Sequence, residues 1–332
     1  MKIHLPAAAA TIAFAILTAC SSGDSIHYRK CTGSVWATTY HITYRSAVNL
    51  DDSIYSVMNR VDDSLSPFSP TSVISRINSG ADMATDSLVR RIFLASQRFN
   101  ALSHGAFDPT VAPLVNLWGF GYRNIHTEPT AAQIDSALRY VGISQCSLQG
   151  NLVVKASDHT EFNFSAITKG YACDLIGEMM SRNGCDDYMV EIGGEMSLRG
   201  RNAHGDKWRV MIDAPIESDS AVVHSRMAVI EVTDAGIATS GNYRNYRHTA
   251  EGKVWHTINP ATGYPAHTTT LSATVVAPDA MSADALATAC MSMESDSAIA
   301  MIESLPATSV MLVRADSTGY RLLTSRGFPS IN

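Results

Sequence analysis

Residues 163–195 read NFSAITKGYACDLIGEMMSRNGCDDYMVEIGGE, and the order of elements in that stretch decides the fold class. The spacing predicts a helix over 169–183, stopped by Gly184. Alternation predicts a strand over 188–192, and Gly193-Gly194 between Glu191 and Glu195 permits a bulge or a close backbone approach. Further strands are expected at Trp208–Ile212 and Met227–Val232, with no helix between them. Upstream, helical periodicity covers Asp51–Leu65 and Ser87–Leu102, and Thr130 with Gln133 forms a capping-box pattern for a helix closed by Gly142. Downstream, a strand over 271–277 precedes a helix opening at Ser282, a short helix between Asp296 and Pro306, and strands at 310–314 and 320–324. Helices and strands follow one another irregularly, without β-α-β alternation. That predicts an α+β fold with mixed or antiparallel sheets rather than a doubly wound one.

The chain has 332 residues, 45% hydrophobic and 17% charged, with 21 Gly and 12 Pro, which is the composition of a globular protein. A formal charge of −6 argues against a nucleic-acid partner, which calls for a basic stripe. If the substrate is anionic, a metal ion, backbone amides or single cations must attract it locally. Residues 1–20, MKIHLPAAAATIAFAILTAC, carry one lysine and an apolar run from Pro6 to Ala19 that is too short to span a bilayer and suits a secretory signal. Leu17-Thr18-Ala19-Cys20 is similar to a bacterial lipobox, with Ser21-Ser22-Gly23-Asp24 as a polar tether. The expected organisation is a signal peptide over 1–19, a lipidated Cys20 and tether over 20–32, and a catalytic domain over 33–332. The protein would then be exported and lipid-anchored at a bacterial membrane, facing the periplasm. An ordinary signal cleaved near Ala19 is the alternative. Cys31, Cys146, Cys173, Cys185 and Cys290 are widely spaced and fit buried thiols better than a metal knuckle.

No phosphate loop, dinucleotide fingerprint, H-E-x-x-H or G-x-S-x-G pattern is present. Five other segments are dense in Gly, Pro, Asp and aromatic residues. Residues 105–121, with Ala106, Phe107, Asp108 and Trp118, fit either a rigid structural loop or the wall of a pocket for a planar ligand. In 163–172 a strand would feed a helix with Lys169 in its first turn, either a solvated lysine or part of an anion site. Glu191–Glu195 is the third segment. In 254–265, His256 precedes a tight Asn-Pro…Gly turn and is the best general-base candidate if it lies in a cleft. In 282–288, Asp284 and Thr288 stack on one helix face. There they offer two hard oxygens to Mg²⁺, or Asp284 merely stabilises the helix start.

In this order the five segments resemble the ApbE family, the FAD:protein FMN transferases. The resemblance runs from Gly33-Ser34-Val35-Trp36-Ala37-Thr38 to the last strands and takes in Ser66–Asn78 as an early flavin-contact loop. It implies a two-lobed, T-fold-related α+β architecture with FAD in the cleft between the lobes. It also implies Mg²⁺-dependent transfer of FMN from FAD to a threonine or serine of an exported or membrane-bound target, with AMP released. Trp36, Phe68, Ala106, Phe107, Asp108, Asn163, Lys169 and Ile258 would contact FAD, and Ala166 (by its carbonyl), Asp284 and Thr288 would hold the metal. His256 would accept the hydroxyl proton. Two departures bear on the flavin pocket. The family often has Met-Gly-Thr where this chain has Trp36-Ala37-Thr38, and commonly an aspartate where Asn163 stands. An FAD pyrophosphatase or a non-catalytic FAD-binding lipoprotein are the alternative readings.

Overall fold

The structure, a computed structural model, describes residues 25–331 except 124, 126, 217–224, 244, 250, 251, 267, 317 and 318. Cys20 and the expected signal peptide lie outside the described residues. The chain opens with β1 (His27–Val35) and β2 (Thr38–Ser46), then α1 (Asp51–Leu65), α2 (Val73–Ser79) and α3 (Ser87–Leu102). A 3₁₀ turn at Pro109–Val111 leads into α4 (Ala112–Leu117) and α5 (Ala131–Leu138), followed by the small hairpin β3 (Ser147–Gln149) and β4 (Leu152–Val154). Next come α6 (Ser165–Arg182), β5 (Tyr188–Ile192), β6 (Glu195–Arg199), β7 (Trp208–Asp213), β8 (Arg226–Val232) and β9 (Ala235–Gly241). The last third holds β10 (Tyr246–Thr249), β11 (Gly252–Trp255), β12 (Thr270–Ala277), α7 (Ala280–Met291), α8 (Ser295–Glu303), β13 (Ser309–Asp316) and β14 (Gly319–Thr324).

Eight strands form one sheet in the order β1-β2-β5-β6-β9-β12-β13-β14, with every described pairing antiparallel. One sheet face packs on α6 and α7, and α1 and α3 pack on those helices, in one core that includes Ile42, Tyr44, Ile54, Phe93, Ile176, Val275 and Leu286. The other face is covered by the β7–β8 hairpin, whose alternation buries Trp208, Val210 and Ile212 against Leu198, Ile237 and Val313. A separate small core of Leu114, Trp118, Ile134, Ala137 and Ile258 ties α4 and α5 to the segment after β11. The Trp118 indole fixes that segment by donating to the Gly263 carbonyl at 2.9 Å.

Several expectations shift. β1 begins at His27, so residues 27–32 are paired strand rather than tether, and the folded domain starts before residue 33. α6 begins at Ser165, which moves Lys169 out of the first turn. The Thr130–Gln133 capping box is present, but its helix ends at Leu138, ahead of Gly142. α7 begins at Ala280 and is capped by Asp279, whose carboxylate accepts the Ser282 N–H at 2.7 Å; Asp284 is therefore not the capping residue. All five described cysteines are buried and free.

β1 and β9 lacked a clear sequence signal, whereas β2 alternates and buries Tyr40, Ile42, Tyr44 and Ser46. β1 is mostly exposed at a sheet edge, so its residues do not alternate in polarity. The two-residue loop between β1 and β2 is Trp36-Ala37, with both residues at positive φ (48° and 59°) where glycine or asparagine is usual. Holding an alanine there costs about 1–2 kcal/mol, partly offset by the greater chain entropy a glycine would lose. Ala37→Gly is therefore expected to stabilise the protein by about 0.5–1 kcal/mol, read as a rise in the denaturant midpoint with an unchanged m-value.

Close helix packing has a glycine origin. A Cβ on Gly170 of α6 would lie 2.2 Å from the Ala280 carbonyl oxygen and 2.8 Å from Cβ of Asp284, so α6 and α7 touch backbone to side chain at this level. Gly236 lets β9 approach the N-terminus of α7 in the same way. Asp174 of α6 completes the junction by accepting the Ala280 and Met281 N–H groups at 2.9 and 2.8 Å. Gly170→Ala is expected to force the helices apart and to lower stability by about 1–3 kcal/mol, the cost of overpacking. A melting temperature equal to wild type would show that the junction is softer than its geometry implies.

Candidate active site

The two cores meet at a cleft of about 380 Å³. One wall comes from α6, the β5–β6 turn, β9 and α7, and the other from residues 106–120 and 245–260. A second, more apolar chamber of about 530 Å³ adjoins it, bounded by Trp36, Val61, Leu65, Pro67 and Phe68. Phe68, Ser165 and Lys169 line both chambers. An elongated ligand with an apolar ring system and a polar anionic bridge suits this two-part shape.

The metal-ligand candidates sit where α6 and α7 touch. Asp284 is 2% exposed, and its Oδ2 accepts the Gly170 N–H at 3.0 Å. In a regular helix that N–H serves the Ala166 carbonyl, so its engagement with Asp284 leaves acceptor capacity on Ala166 at the cleft wall. One turn along α7, the Thr288 hydroxyl lies 3.3 Å from Ser240 Oγ of β9. Lys169 does not stand as a solvated cation. Its ammonium pairs with Glu195 Oε1 at 3.0 Å. Burial disfavours that ammonium, but the charges of Glu195 and Asp284 outweigh burial and hold its pKa above the usual lysine value. Burial in turn raises both carboxyls, Glu195 and Asp284, against the lowering pull of Lys169. Two buried carboxyls face one ammonium, so the cluster is short of positive charge. Consistent with that deficit, Glu195 Oε2 is buried with no hydrogen-bond partner among the described residues. A carboxylate, a hydroxyl and a carbonyl are all hard oxygen donors, and the set fits a divalent cation such as Mg²⁺.

His256 lies across the cleft at the end of β11, edge-on to Phe120 with ring centroids 6.4 Å apart. Its Nδ1 is 3.1 Å from the Asn245 carbonyl oxygen. A carbonyl only accepts, so Nδ1 carries the hydrogen and Nε2 keeps the lone pair. Burial lowers the imidazole pKa below its ordinary value, beyond what the Asn245 bond restores, and Lys169 adds a further lowering charge. The ring is thus neutral near pH 7, with one free basic nitrogen.

The remaining predicted residues divide by what their side chains do. Ala106, Asn163 and Ile258 line the main cleft, Phe68 is 69% exposed at the shared rim, and Trp36 lies in the adjoining chamber. Asn163 spends its carboxamide oxygen on the Ser165 N–H and hydroxyl, at 2.9 and 2.6 Å. Its NH₂ remains unspent among the described residues, a donor that aspartate would not supply. Asp108 lines the main cleft as expected. Its carboxylate is taken up by the Thr110 N–H and hydroxyl, the Asn100 amide and the Ile143 N–H, so only its backbone is left for a ligand. Phe107 is 2% exposed, packs edge-on against Phe99 and lines the cleft. Sequence reading missed Glu195 as a site residue, although Glu191–Glu195 was singled out. Gly193 and Gly194, at φ 65° and 105°, form the tight β5–β6 turn that delivers it.

The sequence pattern of the ApbE family matches residues 36–312, which contain every described site residue named above. The chain belongs to the ApbE family. Among curated relatives, it is 33% identical over 307 residues to the FAD:protein FMN transferase of Vibrio cholerae, with 90% of each chain covered. It is 30% identical over 316 residues to the protein of the same name from Haemophilus influenzae, again with 90% of each covered. Among solved structures, the flavin transferase ApbE from Vibrio cholerae superposes with a TM-score of 0.81 at 31% identity, covering 92% of this chain and 99% of that one. The apo flavinyl transferase ApbE of Pseudomonas stutzeri gives 0.80 at 28% identity, covering 91% and 95%. The expected ApbE-like α+β architecture is therefore the observed one.

Proposed function

We propose that the protein transfers the FMN moiety of FAD to a threonine or serine hydroxyl of a target protein and releases AMP, with Mg²⁺ as cofactor. The observation that carries this reading is the convergence of Asp284, Thr288, Ala166, Lys169 and His256 on one cleft, although they come from three distant parts of the chain. Their chemistry is that of phosphoryl transfer.

The cleft holds FAD with its diphosphate toward α6 and α7 and its ring system toward Phe68 and Trp36. Asp284, Thr288 and the Ala166 carbonyl would hold Mg²⁺, which when bound would supply charge neutralisation at the diphosphate. Lys169 offsets one of the two carboxylates on this wall, so a bound divalent ion would leave the wall net positive, the local attraction a protein of net charge −6 needs for an anion. The acceptor hydroxyl oxygen forms a bond to the FMN-side phosphorus, and the bond from that phosphorus to the bridging oxygen breaks. AMP departs with the bridging oxygen. His256 Nε2 takes the hydroxyl proton, while Asn245 holds the ring in the required tautomer.

Incubation with FAD, Mg²⁺ and a serine- or threonine-bearing acceptor protein tests this reading. It predicts a fluorescent flavin on the acceptor and AMP in equal amount. AMP with free FMN and no labelled acceptor would identify a pyrophosphatase instead, and no AMP at all would leave only a binding protein. We further propose export and lipid attachment at Cys20, which would keep transfer beside membrane-bound targets. Cys20→Ser should then release the protein from the membrane fraction.

A further inference from the structure

Lys169 shares a cleft wall with two carboxylates, Glu195 and Asp284, and pairs with the first. Its ammonium lies 3.0 Å from Glu195 Oε1. Asp284, among the described residues, is hydrogen-bonded by the Gly170 amide and no other group. Gly170 directly follows Lys169 in α6, a Cβ on Gly170 would lie 2.8 Å from Cβ of Asp284, and Lys169 and Asp284 line the same cleft. The flexible lysine stem therefore has Asp284 within reach, and an ammonium seated there would cover the oxygen a metal ion needs.

We propose that Glu195 is a positioning residue that holds Lys169 off Asp284 and so keeps Asp284 open to a divalent cation. This inference rests on the cation reading given above. The local structure fits the role. Glu195 opens β6 directly after a two-glycine turn, is 4% exposed, and accepts the Cys173 thiol through its backbone carbonyl at 3.3 Å. Its side chain is thus fixed from the strand side. The side chain's ion-pair partner is Lys169, and Oε2 has no hydrogen-bond partner among the described residues. A full negative charge is required, because a neutral amide would not compete with Asp284 for an ammonium. With the ammonium on Glu195, one wall presents a cation and an open carboxylate side by side.

The test is titration of the full-length protein with Mn²⁺ in the absence of FAD, with free Mn²⁺ read by electron paramagnetic resonance. Glu195→Gln is expected to weaken Mn²⁺ binding by about tenfold or more, since a unit charge within about 4 Å is worth a few kcal/mol even when partly screened. Adding Lys169→Met to Glu195→Gln removes the competing ammonium and is expected to restore wild-type affinity or better. Wild-type binding by Glu195→Gln alone would overturn the proposal. A double variant as weak as the single one would also overturn it, because Glu195 would then be a ligand or a scaffold. The double variant buries neither charge, so it stays informative even if the single variant folds poorly. Failure of the wild-type protein to bind Mn²⁺ would instead sink the cation reading itself.

Discussion

Asp284→Asn is expected to reduce Mg²⁺-dependent flavin transfer by about 10³-fold or more while leaving the fold intact. The asparagine oxygen can still accept the Gly170 N–H, so the α6–α7 contact keeps its hydrogen bond. What disappears is the one carboxylate in the proposed ligand set. Losing several kcal/mol of charge stabilisation at the diphosphate corresponds to a rate loss of that size. The substitution also leaves Lys169 and Glu195 as a balanced pair, whereas the wild-type cluster buries an excess carboxyl. Without metal, the variant should therefore melt at or above the wild-type temperature. Added Mg²⁺ should stabilise the wild type and not the variant, because only a species that binds the ion gains from it. Mg²⁺-stimulated transfer retained by Asp284→Asn would refute the ligand assignment, and a lowered melting point without metal would refute the charge argument.

His256→Ala is expected to slow transfer by about 10²–10⁴-fold, the usual worth of a positioned general base, with little change in FAD binding. The ring contacts Phe120 edge-on and the Asn245 carbonyl, and both lie on its own side of the cleft. Removing it leaves the α6–α7 wall untouched. The pH profile supplies an independent check. Base catalysis needs the neutral ring, and burial lowers the His256 pKa below its ordinary value of 6.5. The acid limb of the wild-type rate should therefore be centred below pH 6.5, and the His256→Ala profile should lack that limb. Stability follows the same sign. The folded state resists protonating this ring, so its contribution declines as pH drops below the unfolded value. An acid limb centred above 6.5, or one that persists in the variant, would reassign the base.

Some of this was legible along the chain because the signal was local. Asp51–Leu65 and Ser87–Leu102 form helices over the expected residues, since each buries one continuous stripe against neighbouring helices. The pairing of Asp284 with Thr288 is likewise a property of one helix turn. Where the signal was non-local, reading failed. β9, with the sequence AGIATSG, has few residues that favour a strand and becomes one because β6 and β12 flank it and Gly236 admits the end of α7. Glu195 was missed for the same reason, because only folding brings the β5–β6 turn and Lys169 together in the cleft.

The sequence by itself determined the irregular succession of helices and strands, the family pattern and the identities of the hard-oxygen donors and the imidazole. All of these depend on residue type and short spacing. Only the tertiary structure decided which charges face one another. Lys169 is committed to Glu195, Asp284 is served by a helix amide, and His256 is held in one tautomer by a carbonyl eleven residues earlier. Charge–charge energies depend on distance and burial, and both are created when the chain closes on itself.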